Sequence, residues 1–205
     1  MSNWCSNTID IIGDEKTLSM IKEHLESIGD STSNIVFKTL VGQPPRGKDN
    51  SDHWGTKWDV SMDECCFDYQ LGCITLSPNT AWGPPLGFCQ LLSSKCGVRV
   101  DITYSEPGND ISGVFVFDKH GKIIESSEYT YLEGMYNTID KESFWNEVDF
   151  NMDMDMTGNS EDDELKEIED IDLYIEENYP FIKDNDDIAK IKKLYNEKLN
   201  DNGKS

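Results

Sequence analysis

Acidic residues are concentrated in the last third of this 205-residue chain. Residues 136–205 hold 21 Asp and Glu against 8 Lys, whereas residues 1–135 hold 19 acidic and 10 basic residues. This shift in composition divides the chain into two parts. We predict a domain over residues 1–135 and an acidic, mostly helical extension over residues 136–205.

Hydrophobic content and net charge disfavour several classes of protein. The chain is 37% hydrophobic and has 21 aromatic residues, which is enough to build a core. No apolar run approaches the roughly 18–20 residues of a membrane span, and no signal peptide is apparent. A net charge of −22 disfavours direct binding of DNA or RNA, because Lys and Arg supply that affinity. We expect a cytoplasmic protein that does not contact a membrane.

The cysteines follow neither a disulfide framework nor a metal-binding pattern. They are Cys5, Cys65, Cys66, Cys73, Cys89 and Cys96. A zinc site formed by Cys65, Cys73 and His53 can be drawn, but no pair has the usual spacing of two to four residues. We therefore predict free, mostly buried thiols in a reducing compartment, with no metal and no cofactor.

The first third of the chain begins with a strand and a helix. Residues 3–12 alternate in the manner of a strand, and Asp14 is a suitable N-cap for the helix that follows. An apolar stripe marks one face of this helix, and Gly29 ends it. The stripe consists of Leu18, Ile21, Leu25 and Ile28. Residues 34–41 are rich in β-branched residues and predict a second strand.

The middle of the chain contains more strands around one helix. Pro84-Pro85 is a suitable start for this helix, and Gly97 is a suitable end. Residues 111–131 predict a hairpin that turns around Gly121. Further strands are predicted over residues 53–62, 65–77 and 98–107.

This order of elements predicts an α+β fold. Strand, helix, strands, helix and strands correspond to the βαββαβ arrangement of a ferredoxin-like sandwich, an antiparallel sheet with two helices on one face. The term describes topology alone, because the cysteine spacing lacks any iron–sulfur pattern.

The acidic extension is predicted to contain two helices after a linker. Residues 151–164 have the composition of a linker. Apolar residues recur at helical spacing over residues 162–178 and again over residues 185–200. Both stripes are apolar enough to pack against something, so the extension is more than a solvated tail.

Four sequence blocks carry a resemblance to a known family. They are NWCSNTIDIIG (3–13), WGTKWD (54–59), TAWGPP (80–85) and YSEPGNDISGVFVF (104–117). In this order they resemble the YubB-like family of phage and plasmid proteins, which has a ferredoxin-like domain. The resemblance covers about the first 130 residues and implies no catalytic residue. It implies a mobile-element context, in which early genes often protect incoming DNA from host defence.

Residues of these blocks form the first candidate site, a possible pocket. Its members are Trp54, Lys57, Trp58, Trp82, Glu106, Asn109 and Asp110. In this interpretation tryptophans form the walls, Lys57 binds an anion, and Glu106 and Asp110 act as acid and base. In the alternative interpretation the tryptophans pack against the sheet and residues 106–110 form a tight turn.

Carboxylates of the extension form the second candidate site. The candidates for partner binding are Glu161, Asp162, Asp163, Glu164, Glu167, Asp170, Glu176 and Glu177. Carboxylates spaced like the phosphates of a duplex can occupy a nucleic-acid channel of another protein. The alternative is that they only keep the protein in solution.

These observations lead to one expected function and one alternative. We expect a non-enzymatic accessory protein of a phage or mobile element. It would bind and inhibit a host defence or DNA-handling protein with a basic surface, and acting as a nucleic-acid mimic is one way in which it could do so. The alternative is an enzyme or a protein that binds or sequesters a small anionic ligand around Trp54, Lys57, Trp82 and Glu106.

Overall fold

The chain folds into two compact units, which we describe separately. A computed structural model describes residues 3–29, 35–139, 141–157, 168 and 170–202. Unit 1 comprises Met1–Gly134 and unit 2 comprises Met135–Ser205. The division lies one residue before the boundary that composition suggests.

Unit 1 is a mixed α+β unit built around one antiparallel sheet. In chain order its elements are β1 (Trp4–Ile12), α1 (Glu15–Ile28), α2 (Val36–Val41), α3 (Asn50–Trp54), β2 (Cys65–Gln70), β3 (Cys73–Ala81), α4 (Leu86–Cys96), β4 (Arg99–Glu106), a 3-10 turn (Pro107–Asn109), β5 (Ile111–Phe117), β6 (Ile123–Tyr129) and α5 (Tyr131–Gly134).

The sheet has six strands in the order β2-β3-β1-β4-β5-β6, and every neighbouring pair is antiparallel. It is therefore two strands longer than a βαββαβ sheet. Strand β1 lies between β3 and β4, where Ile9 is paired with Leu76 on one side and Ile102 on the other. The predicted alternation of β1 is confirmed, because Cys5, Asn7, Ile9 and Ile11 are buried.

One hydrophobic core joins the inward side chains of the sheet to helices α1, α2, α3 and α4. Helix α1 contributes Leu18, Ile21 and Leu25 to this core, while α2 contributes Phe37 and α4 contributes Phe88. The rings of Phe37 and Phe88 stack with their centroids 4.1 Å apart. Burying each such side chain contributes about 1.5–3 kcal/mol, so this core fixes the helices on the sheet.

The predictions for α1 and α4 are confirmed, as is the hairpin around Gly121, whereas residues 65–77, predicted as one strand, form β2 and part of β3 with a turn between them. Asp14 accepts a hydrogen bond from the Thr17 amide at the start of α1, as an N-cap does. Gly97 ends α4 in the left-handed conformation, at φ 67°. The β2–β3 hairpin turns at Gly72 and the β5–β6 hairpin at Gly121, both with positive φ.

Two predicted strands of unit 1 are wrong. Residues 34–41 were expected to be extended, but Val36–Val41 form helix α2. Residues 53–62 contain the end of α3 followed by irregular chain. In both places tertiary contacts override the β-propensity of Val, Ile and Trp. Asp59 accepts hydrogen bonds from the amides of Phe37 and Lys38 and so holds the start of α2.

Unit 2 is helical in its described parts. It contains a π-helical turn (Met135–Ile139), α6 (Lys141–Thr157), α7 (Ile171–Asn178) and α8 (Asn185–Asn202). Helix α8 matches the helix predicted over 185–200. The other predicted helix, 162–178, is described only from its second half, where α7 lies; most of residues 162–170 lie outside the described residues.

The predicted linker over 151–164 is wrong for its first half, because residues 151–157 continue α6. Phe144, Val148, Met152 and Met156 recur every four residues, and all four are fully buried. This spacing defines one face of a helix. The rest of the predicted linker lies outside the described residues.

Ion pairs and hydrogen bonds tie the helices of unit 2 together. The Lys198 ammonium on α8 lies 2.8 Å from Asp149 and 2.6 Å from Asp153 on α6. The Tyr136 hydroxyl donates to Asp187 over 2.7 Å, and this bond raises the pKa of Tyr136 to about 12. Several carboxylates of the acidic unit therefore have structural partners.

No helix within the described part of the chain is long and apolar enough to cross a membrane.

The cysteines of unit 1 differ in burial, which leads to a first prediction. Cys5, Cys65 and Cys89 are fully buried, and burial raises the pKa of the Cys5 and Cys65 thiols to about 12. Cys66 is exposed. Since the thiolate is the reactive form, we expect Cys66 to react with Ellman's reagent faster than the buried three by roughly two orders of magnitude.

Mass spectrometry of partially modified protein checks the order of modification. Protein unfolded in urea serves as the control, because all six cysteines should then react at similar rates. Modification of Cys5, Cys65 or Cys89 as fast as Cys66 in the folded protein would contradict the burial described here.

Candidate functional site

Residues from the four sequence blocks meet at one end of the sheet. The Trp82 amide donates to the Asn3 carbonyl over 2.9 Å, and the Thr56 hydroxyl donates to the Ala81 carbonyl over 3.0 Å. The Asn109 side-chain amide donates to the Trp82 carbonyl over 3.4 Å. The blocks are far apart in sequence, yet hydrogen bonds join them here directly.

Three exposed tryptophans and a lysine lie together at this position. The exposed fractions of Trp4, Trp58 and Trp82 are 46%, 42% and 56%. The rings of Trp4 and Trp58 lie 6.2 Å apart between centroids. The Lys57 ammonium lies 4.8 Å from the ring centroid of Trp58 and 4.3 Å from that of Trp82. We call Trp4, Lys57, Trp58 and Trp82 the tryptophan–lysine cluster.

The backbone of Trp82 is strained. Its φ is +74°, in the left-handed region that bulky side chains rarely adopt. Such a conformation costs about 1–3 kcal/mol and persists only where surrounding contacts impose it. Here the hydrogen bonds to Asn3 and Asn109 hold both sides of the residue. The fold therefore holds this indole at the surface at an energetic cost.

The loop that carries Lys57 and Trp58 is held at both ends. Gly55, at φ +88°, turns the chain after α3. The Asn50 side chain donates to the Lys57 carbonyl over 2.9 Å. At the other end the buried Asp59 carboxylate accepts hydrogen bonds from the amides of Phe37, Lys38 and Val60. Burial raises the pKa of Asp59, and these three hydrogen bonds partly oppose that increase.

Lys57 is held by aromatic rings rather than by a counter-ion. Among the residues that the structure describes, no carboxylate lies within ion-pair distance of its ammonium. A cation–π contact at an exposed site contributes about 0.5–1 kcal/mol. Two such contacts hold the ammonium weakly enough for other groups to compete.

Glu106 lies beneath this surface rather than on it. The Glu106 side chain is 1% exposed. Its Oε1 accepts a hydrogen bond from the Gly108 amide over 3.1 Å, whereas its Oε2 has no hydrogen-bond partner in the described parts of the chain. A Cβ at Gly108 would lie 2.8 Å from Oε1, so a larger residue there would require the Glu106 side chain to shift. Burial and the nearby Glu106 charge raise the pKa of Cys5 to about 12, which leaves this thiol protonated.

The other predicted pocket residues are placed differently. Trp54 is 3% exposed, packs edge-on against Phe37 and donates from Nε1 to the Gly42 carbonyl, so it belongs to the core and not to the cluster. Asp110, at φ +53°, accepts the Tyr131 amide over 3.0 Å and stabilises the turn. No hydrogen bond or ion pair described here joins Lys57 to Glu106 or Asp110.

Sequence reasoning missed Trp4 as a member of the site. The alternation of β1 places Trp4 on the outward face of the strand, but single exposed hydrophobic residues are common, so the sequence has no signal that would have identified it. The predicted set thus supplies Lys57, Trp58 and Trp82 to the cluster, with Glu106 and Asn109 as its support.

The acidic candidates are only partly described. Glu161, Asp162, Asp163, Glu164 and Glu167 lie outside the described residues. Asp170 is the N-cap of α7 and accepts the amides of Asp172 and Leu173. Glu176 and Glu177 are exposed on α7, and neither has an ion pair in the described part of the chain.

A cavity elsewhere in unit 1 has none of the predicted site residues in its wall. It measures about 220 Å³ and lies between α1, Leu40 and the end of α4. Within the described ranges, no three His, Cys, Asp or Glu side chains are grouped so that they could hold a metal ion.

Comparisons with known proteins give one structural similarity. No protein-family model and no curated protein matches the chain. Among solved structures, the crystal structure of a protein api92 from Yersinia pseudotuberculosis, described by the family model DUF1281, is similar. The two are 12% identical, the match covers 63% of this chain and 98% of that one, and the TM-score is 0.44. A similarity at this level supports no statement about function.

Proposed function

We propose that this chain is a non-catalytic protein of a phage or mobile element that binds and inhibits a host defence or DNA-handling protein. The observation that supports this most directly is the exposed tryptophan–lysine cluster with its strained Trp82. The bound partner is a protein with a basic surface, and the complex forms in the cytoplasm of the host.

The cluster has the composition of a binding hot spot. Tryptophan is enriched among residues whose truncation costs most of the binding energy, and monomers expose few contiguous aromatic side chains. Hydrogen bonds with Asn3 and Asn109 hold the backbone of Trp82 in a strained conformation before a partner arrives. Binding then loses little backbone entropy at this residue.

Charge favours a basic partner. A net charge of −22 attracts a cationic surface and increases the rate of encounter. Exposed carboxylates such as Glu176 and Glu177 can face Lys and Arg of a surface that otherwise binds nucleic acid. We propose that the acidic residues of unit 2 act in this way, as a nucleic-acid mimic.

We also propose that β2-β3-β1-β4, with α1 after β1 and α4 after β3, is a ferredoxin-like core extended by β5 and β6. The strand order supports this. Helix α1 lies between β1 and β2 in the chain, and β3 lies between these two strands in the sheet. Helix α4 lies between β3 and β4 in the chain, and β1 lies between these two strands in the sheet.

A co-expression assay with matched variants tests the proposed function. The chain is expressed in host cells that carry individual restriction, CRISPR or abortive-infection systems and are challenged with phage. Changing Trp4, Trp58 and Trp82 together to Ala is expected to weaken partner binding by at least about 2 kcal/mol, roughly 30-fold in Kd, and to remove protection. Phe150→Ala is the control, since Phe150 is 58% exposed on α6 of unit 2.

A second arm tests the carboxylates. Changing Glu176 and Glu177 to Gln together with the five acidic candidates of 161–167 should weaken binding and reduce its dependence on salt. Affinity purification should recover the same partner with the wild type and Phe150→Ala, but not with the triple tryptophan variant. The proposed function is wrong if no defence system is inhibited, or if the triple variant protects as well as the wild type.

A further inference from the structure

We infer that the Lys57 ammonium is a resident occupant of a cation-binding cleft between Trp58 and Trp82, and that an arginine of the basic partner replaces it on binding. The inference rests on the proposed function and names the group that the tryptophan–lysine cluster recognises. Lys57 then keeps the cleft filled in the free protein instead of contacting the partner.

The geometry is that of a cation shared by two indoles. The Lys57 ammonium lies within 5 Å of both ring centroids, at 4.8 and 4.3 Å, inside the range of a cation–π contact. Throughout the described residues it has no carboxylate partner. A cation is therefore the group that these two indoles already hold.

The cleft can keep its shape when the lysine side chain leaves. Hydrogen bonds hold the backbone of Trp82 on both sides, and the Asn50 side chain holds the Lys57 carbonyl. The ammonium is attached through a flexible four-carbon chain, so it can move into solvent without displacing the backbone. The cleft is thus preorganised for a second cation.

Arginine suits this cleft better than lysine does. Its guanidinium is planar, is more weakly hydrated than an ammonium and stacks on aromatic faces. The partner's cations are attracted by the net charge of −22, whereas an anion approaching Lys57 is repelled by that same charge. Both considerations favour a guanidinium over a carboxylate or phosphate at this position.

Titration with a small probe tests the inference on the full chain. The probe is Nα-acetyl-argininamide, with the citrulline analogue as its uncharged control and acetyl-glutamate as an anionic one. Binding is followed by NMR through the indole N–H signals of Trp4, Trp58 and Trp82. Trp54, which is buried, and Trp145, which belongs to unit 2, report any nonspecific effect.

Lys57→Met is the decisive variant, because the inference predicts tighter binding when the lysine is removed. If Lys57 occupies the cleft most of the time, its removal lowers the Kd of the arginine probe about fivefold. Lys190→Met is the matched control, since Lys190 lies 3.8 Å from the ring centroid of Trp145 in unit 2. It should leave the Kd unchanged, and Trp82→Leu should abolish binding.

Several results would overturn the inference. Among them are unchanged or weaker arginine binding in Lys57→Met, equal binding of the citrulline analogue, or glutamate binding that depends on Lys57. The thermal midpoint of each variant confirms that it is folded. If the triple tryptophan variant loses its partner while the arginine probe fails to bind, the inference is wrong and the proposed function stands. If the arginine probe binds as expected but no partner protein is found, the proposed function is wrong, and the cation-binding cleft is supported without a partner arginine.

Discussion

Asp59→Ala is expected to destabilise unit 1 by about 3–5 kcal/mol, because it leaves three amides without their acceptor. Asp59 is 8% exposed; its Oδ1 accepts the Phe37 amide over 2.7 Å and the Val60 amide over 2.8 Å, and its Oδ2 accepts the Lys38 amide over 2.9 Å. A buried donor without a partner costs about 1–3 kcal/mol. Alanine supplies no replacement for any of the three.

Urea denaturation followed by circular dichroism measures this loss. Asp63→Ala is the matched control, because Asp63 is exposed, and it should change the stability by no more than about 0.5 kcal/mol. Asp59→Asn should fall between the two, since its amide oxygen can still accept two of the bonds. A loss below about 1 kcal/mol for Asp59→Ala would show that α2 does not depend on this carboxylate.

The role of Asp59 also explains why the sequence predicts α2 wrongly. Residues 34–41 are rich in β-branched residues, and Ile35, at the N-cap position of α2, has no side chain that could accept a hydrogen bond from the helix amides. The group that accepts the amides at the start of α2 lies more than 20 residues later in the chain. Local patterns contain no information about such an acceptor. By contrast, Asp14 caps α1 from the adjacent position, and α1 is predicted correctly.

The candidate site shows the same limit. Trp54 and Trp58 share one short block, yet Trp54 is 3% exposed and Trp58 is 42% exposed. Gly55 reverses the chain between them, so the first indole packs on Phe37 and the second faces solvent. Residue type identified the tryptophans as candidates, but only the tertiary structure separates the core residue from the surface residue.

Composition misled the prediction for unit 2. Asp153 and Asp155 give residues 151–157 the composition of a linker, and Asp149 lies just before them, although Met152 and Met156 in the same stretch are fully buried. Two of these carboxylates are paired with Lys198 on α8. A charge that is neutralised by a distant lysine cannot be distinguished from a solvated one in the sequence.

Gly87→Ala is expected to destabilise unit 1 by as much as about 3 kcal/mol and to disturb the tryptophan–lysine cluster. A Cβ at this position of α4 would lie 2.5 Å from the His53 carbonyl oxygen and 3.0 Å from the Trp54 carbonyl carbon. Both atoms belong to the backbone, so α3 and α4 must move apart. The end of α3 leads through Gly55 to Lys57, and its displacement moves Lys57 relative to Trp82.

Gly83→Ala provides the matched control, because no atom lies within 4 Å of a Cβ at Gly83. We expect the indole N–H signals of Trp58 and Trp82 to shift in Gly87→Ala and to stay in place in Gly83→Ala. The same glycine variant should weaken arginine binding, since cation–π attraction depends on the position of the cation over the ring. Wild-type stability and unchanged indole signals in Gly87→Ala would show that the close contact of α3 with α4 does not position the cluster.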